Sequence, residues 1–383
     1  MTEEQHVSAP VKLSAFHDCA KQAGATFTEW GGWKWVDHYD DPLAEHLATR
    51  EQCNIWDESP LRKWDVTGPD AMALADVLFA NDMASLRVGQ VRYGPMCDPE
   101  GMMIMDGTVF KVDHHHCIVM TAYDSDFLWM REVAADRDFA VQLRDVTQEM
   151  PHLQVQGPMA REVLRGIARG VDVDQLAYFR FVPEGVSIGG LPVMLSRTGY
   201  SGELGFEIFC TPAHAPELWE TLMTSGKPFG IRPVGLSAIE TLRIEAGLLF
   251  VDVDYFQHKT DPFEVGLDFV VNLNTPGDFV GKASLQQLAL EGGPPRRYVT
   301  LHIEADVVPE YGATVFSNAR EVGQVRSPCR SPSLEEVIGL AAVDRDIAAS
   351  VGATVQVAVG DETVRARVGE VPAYDTAKRR PRS

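Results

Sequence analysis

Three stretches of the sequence carry residue types and spacing suited to chemistry on a small molecule. The first is RTGYSGELGFEIF, residues 197–209, where Gly199, Gly202 and Gly205 recur every three residues around Tyr200 and Glu207. The spacing is not the G-x-G-x-x-G of dinucleotide folds, and no helix pattern follows it. Phe206 to Phe209 reads as a strand in which Glu207 is flanked by apolar neighbours. One reading is a hairpin whose glycines supply positive φ and whose acids face water. The other is a backbone pressed against a ligand, with Tyr200 and Glu207 aimed into a pocket. In the second stretch, EGMMIMDGTVF, Asp106 follows four consecutive apolar residues. Such an acid is either a bulge or turn residue beside Gly107, or a carboxylate in a partly dry cleft, able to bind or move a proton. The third is the aromatic group Phe27, Trp30, Trp33, Trp35 and Tyr39. It suits a core plug, or a wall for a flat ring or a cation, with Trp30, Trp33 and Tyr39 as the substrate-facing candidates. His114-His115-His116 is expected to be a solvated hairpin tip, because neighbouring strand side chains point to opposite faces and cannot converge on one ion. No metal site is expected.

These residues must be positioned by regular elements. Helical periodicity marks residues 11–24, 42–53 and 69–80, the last opened by Gly68-Pro69-Asp70. Residues 91–93, 102–105, 108–112 and 117–121 alternate as strands, with a turn at Asp113-His114-His115. A helix at about 126–135 and a strand at 141–143 complete an α+β unit. Strands at 153–155, 186–196 and 206–210 then alternate with helices at 158–168, 212–224 and 234–245. Beyond Arg297, short Val-rich strands with Gly and Pro turns predict a β-barrel or sandwich, entered through Gly292-Gly293-Pro294-Pro295.

A chain of 383 residues predicts two or three domains. Its net charge of −21 argues against nucleic acid, which needs a basic surface. No apolar run is long enough to span a membrane, and the polar start MTEEQHVSAP has no signal-peptide pattern. Cys19, Cys53, Cys97, Cys117, Cys210 and Cys329 are far apart, which predicts neither a disulfide framework nor a zinc site and fits a reduced cytoplasm. The basic run Lys378 to Arg382 is expected to be a frayed end.

Taken in order, EHLATREQCNIWDES (45–59), VTGPDA (66–71), GQVRYGPMCDPEG (89–101), LQVQGPMA (153–160), RTGYSGELGFEIF (197–209), GLSAIETLRIEAGLLF (235–250), DFVGKASL (278–285) and GQVRSPCRSPSLEEVIGLA (323–341) resemble the aminomethyltransferase family typified by the T-protein of the glycine cleavage system. That family uses tetrahydrofolate and includes folate-dependent demethylases. The resemblance implies an α+β, three-domain, T-protein-like architecture: two mixed α+β domains around a central folate cleft plus a C-terminal β-barrel. The implied divisions are 1–58 with 145–230 for folate binding, 59–144 with 231–290 for the second α+β domain, and 296–383 for the barrel. It also implies that Tyr93, Tyr200 and Glu207 line the folate site. There Glu207 would accept the paired pterin donors bidentately, and the glycines would let the backbone approach a flat ligand. Asp106 matches the family's catalytic acid near folate N5. Arg243 matches the second arginine of a folate-site helix, and Phe110 stands where the family has a tyrosine. Met105 replaces the family's first acid, and Ile239, followed by Glu240, replaces its first arginine. The single acid, followed by Ala122-Tyr123-Asp124-Ser125-Asp126, is closer to the demethylase branch.

Three functions follow from the resemblance. In the leading one, a methyl group passes from a small O-, S- or N-methylated substrate to N5 of tetrahydrofolate. Asp106 would stabilise the charge developing at N5, and Tyr200 would protonate an alkoxide or phenolate leaving group. The second is a true aminomethyltransferase taking a methylene from a carrier protein's lipoyl arm, a poor electrostatic match for so acidic a chain. The third is a folate-binding regulator, whose relatives lack the acid that Asp106 supplies here. The expected partners are therefore tetrahydrofolate and a small methylated substrate, with no nucleic acid or membrane, a carrier protein under the second reading alone, and a homo-oligomer left open.

Overall fold

The computed structural model describes residues 10–274 and 276–383, so the reading of the N-terminal segment MTEEQHVSA lies outside the described residues. Among the described residues the strands form a seven-stranded sheet, a five-stranded sheet, a closed six-stranded barrel and a two-stranded ribbon. The architecture is the expected α+β arrangement ending in a barrel.

The centre of the seven-stranded sheet explains itself from period-two alternation. His152–Gln156 and Gly205–Phe209 run antiparallel, with Glu207 directly opposite Gln154. Leu153, Val155, Phe206 and Ile208 point to one face and pack against Ala160, Val163, Leu218 and Leu222 of two covering helices, Ala160–Arg165 and Ala215–Gly226. The opposite face carries Gln154, Gln156 and Glu207, which turns a polar surface toward the middle of the molecule. Ile231–Pro233 joins this sheet in parallel with Cys53–Ile55. The chain therefore leaves the sheet slightly beyond the expected division at residue 230.

The five-stranded sheet is antiparallel, with Met103–Lys111 between Gln90–Cys97 and His116–Thr121. Where the sequence suggested two strands broken near Asp106, one unbroken strand passes, and Asp106 lies opposite Pro95. Gly107 permits this, because a side chain there would run into the Met120 carbonyl of the next strand. Asp106 is thus a mid-strand acid, not a turn residue. His114 and His115 sit in the expected turn, while His116 bonds Asp65 at 2.6 Å. The barrel closes through Arg296–Ile303, Glu336–Asp344, Arg320–Ser331, Thr314–Ser317, Thr354–Val359 and Glu362–Gly369 around a valine-rich core. No helix among the described residues is long and apolar enough to cross a membrane.

Two expectations are corrected. The C-terminal run is not frayed: the buried Arg197 donates to the main-chain oxygens of Pro381 and Ser383 at 2.8 and 2.6 Å, and Arg380 pairs with buried Glu203 at 3.2 Å. The glycines of 197–209 mainly serve protein rather than ligand. A Cβ on Gly199 or Gly205 would overlap the Gln156 carboxamide, which donates to the Thr198 carbonyl at 3.1 Å and accepts from Ser201 at 2.8 Å. Gly202, at φ +78°, sits tight against Ala246. Gly205→Ala should therefore displace Gln156 and cost about 1–3 kcal/mol, read as a lower urea midpoint at unchanged slope. An unchanged midpoint would mean that the carboxamide yields freely.

Candidate functional site

A cavity of about 1460 Å³ opens where the polar face of the seven-stranded sheet meets the five-stranded sheet. Its other walls are the helix Leu236–Glu245, the segment 247–251, residues around Phe269, and the C-terminal segment 370–382. Ordinary ligand sites occupy roughly 300–1,000 Å³, so a flat cofactor and a second small molecule fit together.

Asp106 lies half-buried in the lining. Tyr93 donates its hydroxyl to one carboxylate oxygen at 2.9 Å and Tyr255 donates to the other. The Asp106 amide in turn donates to the Tyr255 hydroxyl at 3.1 Å. Burial pushes the Asp106 pKa above the usual carboxylate value, while the two tyrosines pull it back. Burial and the neighbouring carboxylate push both tyrosines well above their usual range, so each remains a proton donor to Asp106.

A second carboxylate group lines the cavity from the seven-stranded sheet. Glu207 and Glu58 are both buried and both face the space, and Gln154 donates to Glu58. His152 lies 3.2 Å from Glu58, and behind them the buried Lys63 donates to the Ser59 and Leu61 carbonyls at 2.8 Å each. Burial raises the pKa of both carboxyls, Glu207 adds to the rise at Glu58, and burial lowers Lys63 to about 7. With one ammonium behind two buried carboxyls, burial favours the protonated form of one of them.

Trp30, Trp35 and Phe250 form an aromatic wall, with ring centroids of Trp30 5.8 Å from Trp35 and 5.3 Å from Phe250. Tyr200 lines the same cavity, but its hydroxyl donates to the Leu249 carbonyl at 2.6 Å. Burial also raises its pKa well above the usual value. In this structure the hydroxyl proton is therefore directed at that carbonyl rather than into the cavity. Arg243 reaches the lining with its five donors engaged: by Glu240, Asp254, the Leu248 carbonyl at 3.4 Å and Ser327 at 3.0 Å. It is a clasp between elements rather than a free cation.

Of the residues expected at the site, Tyr93, Asp106, Tyr200, Glu207, Arg243 and Trp30 come together at the cavity. Trp33, Tyr39 and Phe110 do not. Trp33 is 2% exposed, sandwiched by Lys12 and Arg62 at 5.5 and 5.8 Å. Tyr39 packs under the seven-stranded sheet. Phe110 shares the Asp106 face but lies two pleats further on, where Phe181 and Phe209 plug the seam at 5.2 and 6.0 Å. Sequence reasoning missed Glu58 and Tyr255. Glu58 follows directly on the strand Cys53–Asp57, whose Cys53, Ile55 and Trp56 marked it as partly buried. Tyr255 carried no such signal, since it meets Asp106 only through the fold.

Residues 16–275 match the GCVT N-terminal domain, and residues 296–375 match the glycine cleavage T-protein C-terminal barrel domain. The chain is 38% identical to the trimethylamine-oxide aldolase of Ruegeria pomeroyi over 97% of its own length and 48% of that protein, so it spans about half of that relative. It is 35% identical to the aminomethyltransferase of Symbiobacterium thermophilum, over 97% of this chain and 99% of the relative. The crystal structure of glycine cleavage system aminomethyltransferase T from Bartonella henselae superposes with a TM-score of 0.85 at 26% identity, covering 96% of this chain and 99% of that one.

The Glu58–Glu207 pair makes a stability prediction whose sign is fixed by the direction of the shifts. A carboxyl whose folded pKa is raised above 4.5 weakens folding increasingly as pH climbs past that value. Glu58→Gln should leave stability unchanged at pH about 4 and raise it toward pH 8, by about 1.4 kcal/mol for each unit of elevation relieved. Urea unfolding across that range decides it. A loss of stability at pH 8 would mean that Lys63 holds Glu58 ionised.

Proposed function

The chain belongs to the glycine cleavage T-protein family, and from that premise we propose that it takes a methyl group from a small methylated substrate and passes it to tetrahydrofolate. It is a one-carbon transferase that uses tetrahydrofolate. The observation supporting the demethylase reading is Asp106, which lines the cavity with a tyrosine hydroxyl on each oxygen and is preceded by Met105 rather than by a second acid. When bound, tetrahydrofolate supplies N5 as the acceptor of the one-carbon unit.

The residues present suit that ligand. The carboxylate at Glu207 and Glu58 would hold the pterin's amino and ring N–H donors, and the proton that burial favours on one of them gives a matching donor for a ring acceptor. Tyr93 and Tyr255 fix the Asp106 carboxylate in one orientation, so it needs no reorganisation when positive charge gathers beside it. Tyr200, tied to Leu249, holds the segment 247–251 against the cleft and limits water there. Trp30, Trp35 and Phe250 would receive the methyl-bearing end of the substrate. Aromatic faces favour an onium group, and a sulfonium or ammonium leaves as a neutral fragment needing no proton from Tyr200. The preferred donors are therefore methylated sulfonium and ammonium compounds, ahead of aryl methyl ethers. The six cysteines, all free, suit the cytoplasm as the place of action.

A second reading, transfer of an aminomethyl carbon from a carrier protein, is favoured by one observation. The Symbiobacterium relative bearing the name aminomethyltransferase matches over almost its whole length.

Incubation with tetrahydrofolate and separate methylated sulfonium, ammonium, amine and aryl ether compounds, followed by mass spectrometry, tests the proposal. Formation of 5-methyltetrahydrofolate supports it; turnover of an aminomethyl carrier alone sinks it. Asp106→Asn should retain folate binding and slow single-turnover transfer by roughly 30- to 1,000-fold, the equivalent of about 2–4 kcal/mol of lost charge stabilisation. Because the raised pKa must be crossed for Asp106 to ionise, the wild-type rate should fall with decreasing pH at a value above 3.8, and the asparagine variant should lose that limb. Glu207→Gln should instead weaken tetrahydrofolate binding by about 1.5–3 kcal/mol, measured by calorimetry.

A further inference from the structure

Trp30, the centre of the aromatic wall, stands at the tip of a hairpin. It ends the strand Thr26–Trp30, and the turn Gly31-Gly32, at φ +58° and +75°, leads directly into Trp33–His38. These two strands form a sheet of their own, and a lone hairpin is marginally stable in water. The tip is held by the element Ala122-Tyr123-Asp124-Ser125-Asp126. Tyr123 lays its ring 5.8 Å from that of Trp30 and donates its hydroxyl to Asp252 at 2.8 Å. Asp126, fully buried, accepts from the Tyr123 amide at 3.0 Å and so fixes the backbone from which that ring projects. Asp124 accepts from Arg62 Nε, and the other Arg62 nitrogens donate to the Gly31 carbonyl at 3.0 Å and the Pro60 carbonyl at 2.6 Å. The Lys12 amide donates to the Gly32 carbonyl at 2.9 Å, and its ammonium lies 4.0 Å from Asp124.

One of these supports also reaches the reacting end of the cavity. The Asp252 amide donates to the Tyr255 carbonyl at 2.8 Å, and the Tyr255 hydroxyl donates to Asp106. The turn 252–255 thus ties the ring of Trp30, through Tyr123, to the candidate catalytic carboxylate. Burial and Asp252 push the Tyr123 hydroxyl above its usual range, so it remains the donor of this bond. Aromatic rings backed by a carboxylate attract a cation. A methyl donor must also meet its acceptor in line and at fixed reach, so a wall that wanders loses alignment as well as affinity. We propose that Tyr123 and Asp124 are positioning residues of the methyl-donor site. They hold Trp30 at the cavity, Tyr123 through Asp252 and Asp124 through Arg62, and thereby set the affinity for onium donors. This rests on the onium-donor reading above.

The test is calorimetry with trimethylsulfonium as the probe, on the wild type, Tyr123→Phe, Asp124→Asn, Asp252→Asn and, as a control in the same element, the exposed Ser125→Ala. Phenylalanine keeps the ring and deletes the hydrogen bond. Asparagine removes the Asp252 charge at φ +62°, a conformation that it tolerates. Each of the first three variants should bind the sulfonium roughly three- to tenfold more weakly, the range spanned by one lost hydrogen bond, with tetrahydrofolate affinity unchanged. Ser125→Ala should bind both ligands as the wild type does. In protein labelled with fluorotryptophan, the Trp30 resonance, assigned through Trp30→Phe, should be narrow in the wild type and broadened in Tyr123→Phe and Asp124→Asn. Full sulfonium affinity with a narrow Trp30 resonance in those two variants overturns the inference and leaves the donor reading standing. A parallel loss of tetrahydrofolate affinity also overturns it, since the element would then serve the fold alone. A wild type that binds tetrahydrofolate but no sulfonium overturns the onium-donor reading and this inference with it.

Discussion

The guanidinium of Arg50 is the tie on which the cleft depends. From the helix Pro42–Glu51 it reaches the Ser201 carbonyl at 2.7 Å, the Leu242 carbonyl at 3.1 Å, Glu203 at 3.1 Å and Glu245 at 2.8 Å. Glu245 also takes Ser331 and Ser333 of the barrel, and His46 at 3.3 Å, while Glu203 takes Tyr374 and Arg380 of the C-terminal strap, residues 370–383. Burial alone would raise the Glu245 pKa, yet His46 and Arg50 hold it down at about 2. One cation thus joins the glycine-rich loop, the helix Leu236–Glu245, the barrel and the strap. Removing one member of such a buried cluster strands the rest, at a cost of about 3–5 kcal/mol.

A second clasp lies on the same helix two residues earlier, at Arg243. Arg243 holds Asp254, which also accepts from Tyr298 at 2.9 Å and from Ser327 of the barrel. Tyr255, the next residue, is the donor to Asp106. The orientation of the candidate catalytic carboxylate is therefore set from outside its own sheet, through a segment the barrel fixes in place. The barrel's contribution to the site is positional. It supplies the serines and the tyrosine that hydrogen-bond the charged groups of the two clasps, and the strap that follows it lines the cavity.

The parts of this arrangement governed by local periodicity were legible in the sequence. Apolar alternation at 153–155 and 206–208 marked the core strands and put Glu207 on the other face, but left open whether that face met water or a ligand. The lone acid Asp106 stood out for the same reason. What stayed hidden depends on side chains meeting across the fold. Tyr255, Lys63 and the strap bear no local mark of their partners, and a basic tail looks frayed until Arg197 and Glu203 are seen beneath it. The glycines misled because close approach was legible but its object was not: they close on Gln156. Trp33 and Phe110 failed as site residues since an aromatic ring satisfies a core as well as a pocket.

The central claim is that one cavity holds the pterin between two carboxylate sites, Glu207 with Glu58 at one end and Asp106 at the other. A crystal structure of the protein with 5-methyltetrahydrofolate tests it most directly. The account predicts the pterin amino edge against Glu207 and N5 facing Asp106, with Tyr93 and Tyr255 still bonded to that carboxylate. A pterin lying elsewhere, or one whose N5 turns away from an Asp106 contacted only by its tyrosines, would contradict it.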